Sequence, residues 1–445
     1  MSEIIFPLDQ SELSFTASGG SSVRRTILPS GVRVLTEHMP GAQSASVSFS
    51  VAVGSRDETN GHFGSTHFLE HLLFKGTKRR TALEIAVAFD SVGGSSNAST
   101  GKEHTSYYAR VQDKALPVAV DVIADMLTSS LIDSTEFENE RPVILEELAM
   151  NDDDPQDVVH EEFSAAVLGA HALGRPIGGT QETIQAVTRE AVWQHYKENY
   201  RPQDLVVVAA GGVDHNNLIE LVEKGLTDAG WNLDERNAPV ARRLQNPAII
   251  TRGTDLKVIH RPIQQANVIL GMQGLIADDS RRYAMGILNT VLGGGMSSRL
   301  FQEIREKRGL AYSVYSFNQG YSDAAYFGLY AGCSPAKTAE VTRLMIAEFE
   351  KIAANGITED ELALAKGNIS GSLALKFEST QARMSRLASA EIVQGQFIDL
   401  DQSLAMFEKV TNEDIIALAA DLASRDRSIV AVGDIKADLF APFIN

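Results

Sequence analysis

One cysteine, two tryptophans and no long apolar run in 445 residues already narrow what this chain can be. Cys333 has no second cysteine to bridge to, so a disulfide framework is excluded and nothing points to an oxidising compartment. No unbroken apolar segment approaches the ~20 residues that cross a bilayer, so no membrane span is expected. The opening Met1-Ser2-Glu3-Ile4-Ile5-Phe6-Pro7 shows neither a basic lead, a sustained apolar stretch nor an arginine-rich amphipathic pattern. The expectation is a cytoplasmic protein. Basic residues are scarce as well: 40 Lys and Arg face 58 Asp and Glu, a net charge of −18. A field of that sign repels phosphate backbones, which disfavours nucleic acid as a partner and favours neutral or cationic ligands. The simpler reading of the same charge is a solubilising surface.

What is present is the composition of a globular protein, 44% hydrophobic and 22% charged. At roughly 150 residues per domain the length allows three domains or two large ones. Ala45-Ser46-Val47-Ser48-Phe49-Ser50-Val51 alternates like a strand, Ser65 to Phe74 is apolar at helical intervals and stops at Gly76, and Ser106 to Val111 reads as a second strand. A helix opened by Pro117 and lined by Val120, Ile123 and Leu127 comes next, and Leu205 to Ala210 with Asn217 to Leu226 closes the first half. The mixture lacks strict alternation, which predicts an α+β fold. Tyr107 to Val111 resembles Tyr326 to Tyr330, a shift of 219, and Val208 to Asp214 resembles Ile429 to Asp434, a shift near 221. Two agreeing offsets predict two related domains, each a mostly antiparallel or mixed sheet flanked by helices. Their expected bounds are 1–230 and 251–445, with 231–250 as linker, since apolar periodicity lapses from Trp231 to Gln245.

Only one pair of the ten histidines stands at helical i, i+4 spacing: His67 and His71, in His67-Phe68-Leu69-Glu70-His71. That spacing puts both imidazoles on one helix face, where they can share a Zn²⁺ with Glu70 beside it. Taken alone, such a pair is more often packed or solvated than metal-bound. Here Phe68, Leu69, Leu72, Leu73 and Phe74 make the helix apolar, and three ionisable groups on a buried helix call for a compensating cation. Downstream, Glu140 to Leu148 offers carboxylates, with Glu140 and Glu147 seven residues apart on one face. Pro142 complicates that segment: the helix either starts near Arg141 or kinks there, which leaves Glu147 usable and the place of Glu140 uncertain.

His67-x-x-Glu70-His71 is the inverted zinc motif of the inverzincins. With Gly54 to Glu58, Gly64 to His71 and Leu73 to Thr77 it resembles peptidase family M16, in its shorter bacterial and mitochondrial-processing branch. The resemblance implies a zinc-dependent endopeptidase of extended peptides or unfolded segments. It implies a glutamate about 75 residues after the second histidine as third ligand; 75 residues separate His71 from Glu147, which favours Glu147 over Glu146. Asn97-Ala98 is similar to the family's substrate-lining edge strand, which holds peptide by β-augmentation. Leu292 to Phe301 followed by Arg305 to Val314 is similar to its C-terminal signature, and this implies that Arg305 and Tyr312 reach the reacting carbonyl and bind substrate. Glu70 is the implied general base, and Glu140 is a candidate to orient a ligating histidine. At the shift of 221 the zinc motif falls on Leu288 to Leu292, so the second half carries none. Since one chain holds both residue sets, the resemblance implies a homodimer, or a heterodimer with a similar chain. The alternatives are a non-catalytic assembly subunit, which retention of all four zinc-site residues opposes, and a structural zinc site, which would leave Glu70 idle.

Overall fold

The computed structural model describes residues 4–444 and divides into two compact units. The first contains a seven-stranded sheet: β1 (Glu12–Thr16), β2 (Ser22–Ile27), β3 (Arg33–His38), β4 (Ser44–Val51), β5 (Ser95–Thr100), β6 (Thr105–Gln112) and β7 (Leu205–Gly211). Its order is β1-β2-β3-β7-β4-β6-β5, antiparallel except where β3 runs parallel to β7. The second unit has β8 (Leu256–His260), β9 (Ala266–Gln273), β10 (Ala311–Gly320), β11 (Ala325–Cys333) and β12 (Ser428–Gly433), in the order β10-β11-β9-β12-β8. Here too a single pair, β12 with β8, is parallel. Matched strand for strand, β3-β7-β4-β6-β5 repeats as β8-β12-β9-β11-β10. The α+β class and the duplication are therefore both present, and the two matched segments lie on equivalent strands, β6 with β11 and β7 with β12.

The helices reflect local chemistry. α1 (Ser65–Leu72) begins after Gly64, whose φ of 89° is a left-handed conformation that a side chain resists. Its first amides are capped by Glu58, which accepts from the N–H of Gly64 at 2.9 Å and of Thr66 at 2.7 Å. α2 (Leu116–Ser129) has the expected proline in its first turn, and α3 (Ser134–Asp153) comes after it. α4 (Pro155–Leu168) and α5 (His215–Asp228) are the two longest of the later helices in the first half. The start near Arg141 is corrected: α3 begins at Ser134 and runs through Pro142. Pro142 lies on the exposed side, where water can satisfy the carbonyl its missing N–H leaves free.

Neither unit is built from one half alone. The first joins the chain up to Leu148 with Pro176–Arg243 and Ala374–Asp401; the second joins Ala149–Arg175, Leu244–Leu373 and the chain from Gln402. This differs from the continuous halves expected, because each sheet has two apolar faces and one is covered by a segment from the other half. In the first unit one face packs on α1, α2 and α5, while Val206, Val208 and Ala210 on the other are covered by Met384, Leu387 and Ile392, from α6 (Thr380–Ser389) and the turn after it. In the second, Ile269, Val430 and Val432 are covered by Val159, Phe163 and Val167 of α4. Trp231 to Asp255 forms neither helix nor strand. Among the described residues no helix is long and apolar enough to cross a membrane.

Two buried carboxylates fasten the returning segment to the first sheet. Glu391, fully buried, meets Arg25 at 3.3 Å, Arg33 at 3.4 Å and Arg242 at 2.8 Å. Glu37, also fully buried, pairs with Arg383, with Arg386 at 3.0 Å, and accepts from the Ser21 hydroxyl at 2.9 Å. Burial holds the Arg33 and Arg242 guanidiniums below the usual arginine range, and the Glu391 carboxylate opposes that shift by favouring their charged forms. Removing one partner of such a cluster strands the others. Glu391→Gln is expected to lower unfolding free energy by about 3–5 kcal/mol, read from urea denaturation; a loss under about 1 kcal/mol would show that the cluster is not what fastens the segment.

Candidate metal centre

The zinc motif occupies α1. Its turn aligns His67 and His71 with ring centroids 4.7 Å apart, while Phe68, Leu69 and Leu72 on the opposite side are buried. α3 lies alongside, fixed by the Phe68–Phe137 stack at 4.4 Å between centroids and by the Arg141 guanidinium 4.7 Å over the Phe137 ring. Phe137, Glu140, Ile144 and Glu147 succeed one another at helical spacings of three, four and three, so the stack that seats Phe137 also presents Glu140 and Glu147 to the histidines.

His67 Nε2 lies 3.7 Å from one Glu147 oxygen and His71 Nε2 3.4 Å from the other. Tetrahedral zinc with ligand bonds of ~2.0–2.1 Å holds its donors about 3.3 Å apart, so these atoms fit the metal with small adjustment. The trio is the one group of three such ligands found among the described residues, with donor atoms within 4.8 Å of each other. The opposite nitrogens fit as well. His71 Nδ1 donates to Glu140 at 2.9 Å, which leaves the Nε2 lone pair free to ligate. Burial and the neighbouring His71 lower the His67 pKa, which favours the neutral ligating form. Its Nδ1 is buried without a hydrogen-bond partner among the described residues.

Glu140 is itself buried, and its second oxygen is 2.6 Å from Lys75 Nζ. Its hydrogen bonds to Lys75 and His71 outweigh burial and hold its carboxyl below the usual range, so it stays an acceptor. The uncertainty over Glu140 is thereby resolved in geometry: an uninterrupted α3 brings it onto His71. Glu146, one residue before Glu147, is exposed and outside the trio.

Glu70 projects beside the trio and accepts a hydrogen bond from the Thr100 hydroxyl. Thr100 ends β5, the edge strand that also carries Asn97 and Ala98, exposed and buried respectively. Arg305 and Tyr312 belong to the second unit, where they meet each other. Arg305 Nη1 donates to the Tyr312 carbonyl at 2.8 Å and its guanidinium sits 4.8 Å over the Tyr312 ring. Tyr312 occupies a bulge at the start of the edge strand β10 and is 78% exposed. Sequence reasoning passed over Glu58, Lys75 and Thr100 as individual residues. Only an i to i+6 search for helix-capping carboxylates could have found Glu58; nothing local marks the other two.

Family models match about three quarters of the chain. Residues 33–181 match Insulinase (Peptidase family M16), and 186–369 match the Peptidase M16 inactive domain. The chain is 47% identical over 418 residues to an uncharacterized zinc protease of Streptomyces coelicolor, covering 94% of this chain and 91% of that one. It is 36% identical over 410 residues to one of Bacillus subtilis, covering 92% and 98%. Among solved structures, a protease from Helicobacter pylori superposes with a TM-score of 0.82 at 25% identity, over 92% of this chain and 98% of that one. The zinc names agree with the donor set, and Zn²⁺ is the cofactor these residues suit.

Because Glu140 holds the His71 ring and its tautomer, Glu140→Gln is expected to weaken zinc binding about 10–100-fold. Competition with a fluorescent chelator measures this; unchanged affinity with an unchanged circular dichroism spectrum would remove Glu140 from the site.

Proposed function

The chain belongs to peptidase family M16; from that premise we propose that it is a zinc endopeptidase acting on extended peptides or unfolded segments, with Glu70 as general base. The observation that carries this reading is the Thr100–Glu70 hydrogen bond, which ties the open edge strand β5 to the carboxylate beside the zinc ligands. An edge strand offers backbone N–H and C=O groups to a peptide that adds as an eighth strand. Asn97 and Ala98 lie within that edge and would hold the chain beside the reacting bond.

When bound, zinc supplies Lewis acidity, acidifying a water and polarising the scissile carbonyl. Glu70 takes a proton from the attacking water as its oxygen bonds to the carbonyl carbon. The same carboxyl returns the proton to the nitrogen as the C–N bond breaks, so the base is regenerated. Glu140 keeps the His71 ring oriented throughout. Arg305 and Tyr312 would donate to the oxygen on which negative charge develops. Their stacked geometry supports that role, since the guanidinium preorganises the tyrosine. Both residue sets in one chain support a homodimer of equal subunits, with a heterodimer as the other arrangement; native mass spectrometry separates these from a monomer.

Chelator-sensitive cleavage of a quenched peptide library tests the reading. Tyr312→Phe is expected to lose about 10²–10³ in rate, the usual worth of one oxyanion donor. Glu70→Gln is expected to lose more while keeping one zinc per chain; equal activity in that variant would defeat the mechanism.

A further inference from the structure

Beyond the zinc ligands, the first unit carries a second feature on the same edge of the sheet. At the end of β5 away from Thr100, a groove of about 500 Å³ opens over Gly94 and Ser95, beside Ser44 and Gln112. Arg110 of β6 is its one charged lining residue; it is exposed, and its guanidinium forms no ion pair or hydrogen bond with the side chain of any described residue. In a chain of net charge −18, where most described arginines sit against a carboxylate, a solitary guanidinium in a groove is distinctive. Resting on the peptidase reading above, we propose that Arg110 forms a carboxylate subsite for the peptide segment C-terminal to the scissile bond.

Register and direction support this. Ser95 is the cross-strand neighbour of Arg110, and Asn97 that of Tyr108, so Ser95, Asn97, Tyr108 and Arg110 share one face. That face is covered by α6 over β4, β7 and β3, and stays open towards β5. A peptide added to β5 would lie two strand spacings, about 10 Å, from the backbone of Arg110. A glutamate and an arginine reaching towards each other span that gap only if nothing bulky lies between. The intervening residues are Ser95 and the glycine pair Gly93-Gly94. β5 pairs antiparallel with β6, and an antiparallel ladder is the more stable choice for an added strand. The peptide then runs from Thr100, beside Glu70, towards Ser95, so the residues over the groove are C-terminal to the bond cut. Five residue steps separate Thr100 from Ser95, roughly 17 Å, which places the subsite three to six residues beyond that bond.

The carboxylate can come from an Asp or Glu side chain or from the end of a short peptide. The test compares peptides carrying Glu, Gln or Lys at each of those positions, and short peptides ending there as free acid or amide, with cut sites mapped by mass spectrometry. Wild type is expected to favour Glu over Gln about fivefold in kcat/KM, less at high salt. Arg110→Gln is expected to bring that ratio to about one, and Arg110→Glu to favour Lys, an inversion that a merely structural role would not produce. A preference seen only with free-acid termini assigns the ligand to the peptide end; one that persists in amidated peptides assigns it to the side chain, and both support the subsite. Cleavage with no Glu preference at any position, or a preference that survives Arg110→Gln, overturns it. Failure to cleave any peptide overturns the peptidase reading and this inference with it.

Discussion

Central strands that are apolar on both faces must be covered twice, and in this chain that requirement decides how the remaining segments are placed. β7 is buried along its whole length, and its two faces belong to different cores. Helices of the first half supply one cover. The other comes from residues 374–401, brought back across some 170 residues of sequence and held by Glu37 and Glu391 against five arginines. Hydrophobic burial alone would hold such a segment without fixing its register, because apolar faces slide at little cost. Buried charges are intolerant of displacement: a shift of one residue would leave a carboxylate or a guanidinium unpaired in the core. The ion clusters thus specify where the cover sits, and so where it stops. It stops short of β5 and β6, leaving an edge and part of a face open.

The metal centre depends on the opposite face by a similar division of labour. The Phe68–Phe137 stack and the Arg141 guanidinium above it set α3 against α1 by shape. Glu140 then converts that apolar alignment into chemistry, because its two oxygens engage His71 and Lys75 at once. Lys75 comes directly after α1, in the turn that closes on Gly76, so the length of this short helix matters as much as its histidines. One more turn would carry the ammonium away from the carboxylate.

Much of this was legible from the residues. The histidine pair, the carboxylates on one face and the strands with their shift near 220 all rest on local periodicity, which survives folding because it is what folding reads. The domain bounds were not legible in the same way. Continuous halves are the natural inference from a duplicated pattern, yet α4 and α6 show helical periodicity without saying which sheet they cover. Their contacts are long-range, and an amphipathic helix carries no address. Pro142 misled for a related reason: a proline in a helical segment is costly in general, but its cost falls on the exposed side, and exposure is a tertiary property. Thr100 and Lys75 matter only through partners that folding brings to them.

The duplication itself explains why chemistry resides in one unit. The helix Arg282–Gly293 stands between β9 and β10 as α1 stands between β4 and β5. Where α1 has His67, Glu70 and His71, this helix has Leu288, Val291 and Leu292, all buried in the core of the second unit. The two patterns are alternatives at the same positions: a helix face can pack into its own core or be held at the surface to carry ionisable groups, but one set of residues cannot do both. The second unit keeps the packed version. What it offers instead is at its own edge, where the bulge at the start of β10 turns Tyr312 outward and Arg305 braces it. A common topology has therefore preserved an open edge strand in each unit while the residues beside it diverged, with imidazoles and carboxylates beside one edge and an arginine and a tyrosine on the other.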